Sequence, residues 1–432
     1  MAEPTTDSLR LDLPYLLGVY AAVNAVRDAY LLVDGPQCVS FKAEHIAGKH
    51  DWRSSLLDCA GFHRVVMTGT TFDSVAFSRE QTITDLLRRI AGRDDAGVVL
   101  VSCLTMCGLT GVQYDRLSRP LERETGKPFL PIRCDSLEED WLDGYAAVCA
   151  AAVRAAALPG RRRRKGAVAL TGYLFDRNEG DHAANLAELE RMLAGLSLDL
   201  VAAFPSGGAY ADLGRAAEAS AVISLPYARE AGRTLARRLG VPLVETGLPF
   251  GLESSTRWLR AVAGPFGRKA AAERFLLRET RAALTPLERA VGEVFLNRRL
   301  LYAGDPYLFE GFCEIAALLG CAIDSAAVFS RPGRLGPRAR ALGPAVLEQP
   351  EELAWLRVVE AQPPRDLCVC NNVGWQALGE GAGPVMEFGF PSHFFHSLAP
   401  RPFLGFRGFL HFADRMAEHL MAARMRAGAR GS

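Results

Sequence analysis

The sequence has no excess of charge of either sign: 50 Lys and Arg stand against 49 Asp and Glu in 432 residues, a formal net of +1. Such a chain has no whole-surface potential to draw it to nucleic acid or an acidic membrane, so neither is an expected partner. A long apolar run is also missing. Leu13 to Val26, the most hydrophobic early stretch, is shorter than the ~20 residues that cross a bilayer. It follows Glu3, Asp7 and Asp12, where an export signal would carry basic side chains, and the cytoplasm is the expected location. Cysteine is too dilute for a disulfide-stapled secreted scaffold, ten residues in all. No Cys-x-x-Cys pair exists, which removes zinc-ribbon and bacterial-ferredoxin arrangements. The chain has no G-x-x-x-x-G-K-[ST], no Gly-x-Gly-x-x-Gly after a strand and no G-x-S-x-G. These absences argue against a self-contained ATPase, a nicotinamide dehydrogenase and a serine hydrolase.

What is present is a globular balance, 49% hydrophobic and 23% charged, with length for two or three domains. Three blocks repeat one theme, an apolar β-rich run followed by a helix-patterned stretch, which predicts an α/β fold of parallel sheets covered on both faces. The first block, 1–160, offers strands at Ala29–Val33, Val65–Thr68, Gly97–Ser102 and Phe129–Ile132, with helices such as Ser78–Ile90 and Leu137–Ala156. Pro159 to Gly166, with its run of basic residues, is a solvated linker. The second, 166–297, offers strands at Ala167–Thr171, Leu198–Ala203, Ala221–Ser224 and Pro242–Glu245. It ends in a helical stretch, Lys269–Asn297, broken at Thr285-Pro286. The third, 298–432, has strands at Arg299–Ala303, Ala322–Phe329, Leu367–Cys370 and Val385–Phe388 and a helix over Leu410–Arg426. Its Arg-, Gly- and Pro-rich segment Arg331–Pro344 reads as a mobile surface loop.

In open parallel sheets the ligand crevice lies beyond the carboxyl ends of the strands. Cys38 follows the first strand in Asp34-Gly35-Pro36-Gln37-Cys38, and Cys103 follows another, so both thiols face one edge. Cys107 lies one helical turn beyond Cys103, Cys59 precedes the strand at Val65, and Cys134 follows Ile132. Gathered thiolates suit a soft metal or an iron-sulfur cluster. Spacing alone favours scattered buried thiols, the reading that also covers Cys149, Cys313 and Cys321; Cys368 and Cys370 alternate along a strand, so at most one faces a cleft.

With these residues assigned, the chain resembles the nitrogenase component 1 family, which includes nitrogenase subunits and protochlorophyllide reductase subunits. Asp34 to Cys38 is similar to the family's Gly-Pro-x-Gly-Cys loop with one Gly missing, and Val98 to Gly108 to its strand-then-Cys loop. Cys59 falls between them. Gly172-Tyr173 with Asp181 to Leu193 resembles the start of its second domain. Phe388-Gly389-Phe390-Pro391 through His393, His396, Pro402 and Gly405 to Phe409 resembles its final loop and helix. One departure is Cys107-Gly108-Leu109-Thr110-Gly111, where the family often carries Ile-Gly-Asp-Asp.

The resemblance implies three Rossmann-like domains. It also implies an iron-sulfur cluster of 4Fe-4S type, with Gly35 and Pro36 shaping its loop and Cys38, Cys59, Cys103 and Cys107 as ligands. It further implies electrons from a separate ATP-dependent iron-sulfur reductase, and pairing with an identical or sister subunit into a dimer or tetramer. A second metallocluster or a tetrapyrrole is a possible further cofactor or substrate. His396 and His393 are the expected catalytic groups, in a cavity placed where the final loop meets the first block, because imidazole can ligate metal or move protons near neutral pH. Two other functions remain open at this point: a scaffold for cofactor assembly, and a metal-free α/β binding protein.

Overall fold

A computed structural model describes residues 10–57, 62–133, 137–160, 162–378 and 382–431. Three wholly parallel sheets follow one another along the chain. The first contains β1 (Ala29–Asp34), β2 (Val65–Met67), β3 (Val98–Cys103) and β4 (Phe129–Pro131), in the order β2-β1-β3-β4. The second contains β5 (Ala167–Thr171), β6 (Asp199–Phe204), β7 (Ala221–Ser224) and β8 (Leu243–Glu245), in the order β6-β5-β7-β8. The third contains β9 (Arg299–Gly304), β10 (Ala322–Val328), β11 (Val346–Glu348), β12 (Leu367–Cys370) and β13 (Val385–Glu387), in the order β11-β10-β9-β12-β13. Every residue of β1, β3, β5, β7 and β12 is buried, as expected for central strands covered on both faces.

The blocks are joined tightly. The helix Tyr15–Asn24 crosses the helix Trp141–Ala155 at backbone contact, which only glycine permits: a Cβ on Gly18 would stand 1.7 Å from the Trp141 carbonyl oxygen. The second helix starts in a reciprocal cap, the Asp140 carboxylate accepting from the Leu142 and Asp143 N–H groups while Asp143 accepts from the Asp140 N–H. The adjacent Trp141 indole donates to the Phe329 carbonyl at 3.1 Å, tying the first block to the third. The last helix, Gly405–Gly431, starts five residues before its expected position and packs on the second block's helices Gly180–Ala194, Leu252–Ala263 and Lys269–Leu284.

One expectation is corrected. Arg331–Pro344 is not a bare loop: it contains the helix Pro337–Ala341, whose first N–H groups, of Arg338 and Ala339, donate to the Glu310 carboxylate. Arg334 pairs with Asp140 and Asp143, so it anchors the segment to the first block.

Candidate functional site

The first sheet's strand order reverses between β1 and β3, and this switch point opens the crevice at their carboxyl ends. Asp34 is in register with Cys103 there. The chain turns at Gly35-Pro36, the Gly35 N–H donating to Thr68 Oγ1 at 3.0 Å, and a Cβ on Gly35 would press on Leu104 and Val39 at 3.2 and 3.3 Å. Cys38 then stands exposed at the start of the helix Val39–Ile46, while Cys103 and Cys107 are buried. Cys59 and Cys134 lie outside the described residues. Among the described residues, no three Cys, His, Asp or Glu side chains converge in the manner of a metal site.

Beneath the cysteine loops sits a fully buried carboxylate. Asp34 pairs with Arg79 at 3.1 Å and accepts from Thr68, Thr70 and Tyr114 hydroxyls at 2.8, 3.1 and 2.8 Å. Burial pushes its carboxyl up, but the bonds from Arg79, Thr68 and Tyr114 outweigh that and hold it below the usual range. Arg79 also donates to Thr110, which donates to the Cys107 carbonyl, so this network fixes the loop after β3. Burial, with Asp34 nearby, pushes the Cys107 thiol up to about 11. The donor chemistry of Cys38, Cys103 and Cys107 suits a cluster at this edge, Cys38 from the surface and the other two from buried positions.

The two expected histidines lie at the seam between the final loop and the first block. His393 Nε2 is 3.0 Å from His45 Nε2; burial foremost, then neighbouring cationic groups, lowers both to about 4. His396 Nδ1 is 2.7 Å from Glu179 Oε1, and its ring stacks on Trp52 with centroids 3.7 Å apart. The buried Glu387 carboxylate folds this loop back on itself by accepting from the His393, Phe394 and Phe395 N–H groups at 2.8, 2.7 and 2.6 Å.

The cavity is not at that seam, where the sequence led us to expect it. It is a cleft, partly open to solvent, between the final loop, the second block and the last helix, with a volume of about 230 Å³, and neither His393 nor His396 lines it. The Glu387 fold-back turns the histidines to the first block and leaves Phe388, Phe390 and Phe395 on the cavity wall. The opposite wall carries Tyr173, Asp176 and His182. His182 Nδ1 is 2.7 Å from the Tyr173 hydroxyl, which also accepts from Asn185 at 2.8 Å. His182 Nε2 lies 2.7 Å from one oxygen of Asp176, and His50 Nε2 lies 3.2 Å from the other. The Ser392 N–H donates to His50 Nδ1, so that ring's proton faces Asp176.

Burial raises the Asp176 carboxyl, but His182 and His50 outweigh it and hold it well below its ordinary value. Burial lowers His182, but Asp176 and Asp181 outweigh it and raise it. The Asn185 amide donates to the Tyr173 oxygen; a proton on His182 Nδ1 would add a second bond there and turn the phenol proton toward the cavity, the arrangement acid catalysis requires. Sequence reasoning missed this cluster, although Tyr173 stands beyond the carboxyl end of β5, where the rule that found Cys38 and Cys103 applies equally.

A family model described as nitrogenase component 1 type oxidoreductase matches residues 15–421. The chain belongs to that family. Its fold agrees: two solved structures described as nitrogenase Cp1, at pH 6.5 and pH 5, superpose with TM-scores of 0.81 and 0.76. They cover 99% and 98% of this chain, and this chain covers 96% and 91% of theirs, at 15% and 14% identity, a likeness of fold alone. A curated relative, one subunit of the light-independent protochlorophyllide reductase of Chlorobium luteolum (strain DSM 273 / BCRC 81028 / 2530), is 43% identical over 83 residues. That stretch is 18% of this nitrogenase component 1 type chain and 15% of the relative.

Proposed function

We propose that the protein is the component 1 subunit of a two-component reductase, holding an iron-sulfur cluster of 4Fe-4S type at the β1/β3 edge. The observation that carries this reading is the family match over 15–421 together with Cys38 and Cys103 at adjoining strand ends. Cys59 is the third proposed ligand, and Cys107 or a side chain from a partner the fourth. Gly35 and Pro36 give the loop its turn. The cluster, when bound, supplies one-electron transfer; the donor is an ATP-dependent iron-sulfur reductase, since this chain has no nucleotide loop. A like subunit covers the edge. Phe41 on the helix Val39–Ile46, and Phe72, Phe77 and Leu109 on the loops around it, are 66, 84, 73 and 82% exposed, apolar surface that favours association.

Protons are handled by this chain's own side chains. His393 and His396 stand at the seam, and from His396 a polar path runs through Glu179 to Arg177, 3.7 Å apart, and on to the cavity wall. Tyr173, backed by His182 and Asp176, faces the substrate. Among the described residues no helix is long and apolar enough to cross a membrane, and the proposed location is the cytoplasm.

The test is anaerobic purification of the chain alone and with the products of neighbouring genes, with iron, sulfide and paramagnetic-resonance analysis. A cluster signal oxidised during ATP-dependent turnover supports the reading. An iron-free protein in both preparations refutes it. His393→Ala with His396→Ala is expected to stop substrate reduction and leave the cluster spectrum unchanged.

A further inference from the structure

The cavity carries a cation without a carboxylate partner. Arg415, on the last helix, lies over the Phe395 ring with 3.4 Å between guanidinium carbon and ring centroid, and it donates to the Glu387 carbonyl. No carboxylate forms an ion pair with it among the described residues, whereas Arg177, on the same wall, pairs with Asp181 and Glu179. Desolvation, and then Arg177, lowers Arg415 to about 10 against the opposing pull of Asp181, Glu387 and Glu418, none of whose carboxylates pairs with it directly, so it is charged at neutral pH. A half-buried unpaired charge is costly, and an anionic ligand group removes that cost.

The other walls define the rest of the ligand. Tyr173, Tyr227, Phe388, Phe390, Phe395 and Phe412 line the space with rings, which suit a planar unsaturated body. Size excludes a large one: a cavity of roughly 150 Å³ holds a single benzene, so about 230 Å³ takes one ring and a short substituent. A tetrapyrrole macrocycle is larger than this volume. Asp176, Asp181, Asp414 and Glu418 also line the space, against Arg177, Arg401 and Arg415; four carboxylates on the wall disfavour a dianion such as a phosphate ester and favour a ligand with a single negative charge.

We propose that this cavity binds a small aromatic or conjugated monocarboxylate, its carboxylate on Arg415 and its unsaturated body among the phenylalanines within reach of Tyr173. The inference rests on taking the cavity as the substrate site of the proposed reductase, and it names the substrate class. It uses residues of one chain only, so binding needs neither cluster nor reductase.

The experiment is isothermal titration calorimetry of the full-length chain, with and without iron, against trans-cinnamate, the uncharged cinnamamide, hexanoate and coproporphyrin. Saturable one-to-one binding of cinnamate, at least tenfold tighter than cinnamamide and hexanoate, is the expected result. Arg415→Met should weaken cinnamate at least tenfold and leave cinnamamide unchanged, and Arg415→Lys should recover part of the loss. If Arg415→Met does not fold, the Arg415→Lys variant and the cinnamate-to-cinnamamide ratio decide. Equal affinity for acid and amide, an unchanged affinity in a folded Arg415→Met, coproporphyrin as the preferred ligand, or no binding at all would each overturn the proposal. Iron analysis keeps the two readings apart: a chain that binds cinnamate but never takes up iron refutes the reductase and not the ligand class, and the reverse pattern refutes the ligand class alone.

Discussion

Replacing Arg79 by Met tests how the cysteine edge is held. Asp34 is fully buried, and Arg79 is the one cation paired with it among the described residues. Methionine keeps much of the side chain's length and removes the charge, leaving a buried carboxylate with hydroxyl donors only. Breaking one side of a buried ion pair costs about 3–5 kcal/mol. The three hydroxyls from Thr68, Thr70 and Tyr114 remain, so the lower half of that range applies. The loss is local to β1, β3 and the loop that Arg79 holds through Thr110. Hydrogen exchange read by mass spectrometry over 29–34 and 98–108 is therefore the assay, and protection should fall by roughly two powers of ten at 1.4 kcal/mol per tenfold. Asp34→Asn in the same chain should restore most of it, because the orphaned charge is gone. Protection unchanged in Arg79→Met, or a double variant as exposed as the sum of the two singles, would refute the argument. The pair also sets an acid limit: Asp34 is lowered in the folded state, so its contribution is complete above the ordinary aspartate range and is lost as pH falls through the folded value.

Gly18→Ala should prevent the helices Tyr15–Asn24 and Trp141–Ala155 from closing, since the new Cβ meets the Trp141 carbonyl at 1.7 Å; insoluble protein or a strongly lowered melting temperature is expected, and a wild-type melt would contradict the packing. His182 is raised in the folded state, so the stability it adds is complete below the unfolded histidine value and is lost as pH rises through the folded one. Melting temperature should therefore fall on the alkaline side in the wild type, and His182→Gln should flatten that fall. Glu387→Ala leaves three loop N–H groups without their acceptor. It is expected to raise proteolysis between Ser392 and Ser397 while the third sheet stays protected.

How much of this was legible in the sequence follows from the distance over which each feature is determined. Strands β1 and β3 are short continuous apolar runs, so their buried central place could be read locally, and the cysteines at their ends followed from the sheet rule. The edge strand β11, only Val346–Glu348, carries no such run and follows a stretch rich in Arg and Pro. Asp34 was visible in its loop, but its partner Arg79 is 45 residues away. The cavity was harder still. Its acid combines His50 from the first block with Tyr173, Asp176 and His182 from the second, and its free cation comes from Arg415 on the last helix. Each of these polar residues is ordinary in its local window, and only the packing of the first block and of the last helix against the second block brings them together. The histidines of the final loop were visible because two fall within four residues, yet the Glu387 fold-back that directs them to the seam is a tertiary feature.

The central claim is that Cys38, Cys59 and Cys103 hold an iron-sulfur cluster at the β1/β3 edge. Its most direct test is iron and sulfide content, with the paramagnetic-resonance spectrum, of the anaerobically prepared wild type and of the chain carrying Cys38→Ala, Cys59→Ala and Cys103→Ala together. The account predicts a cluster signal in the wild type and its loss in the triple variant, with the melting temperature of the iron-free forms unchanged. Full iron occupancy and an unaltered spectrum in the triple variant would contradict it.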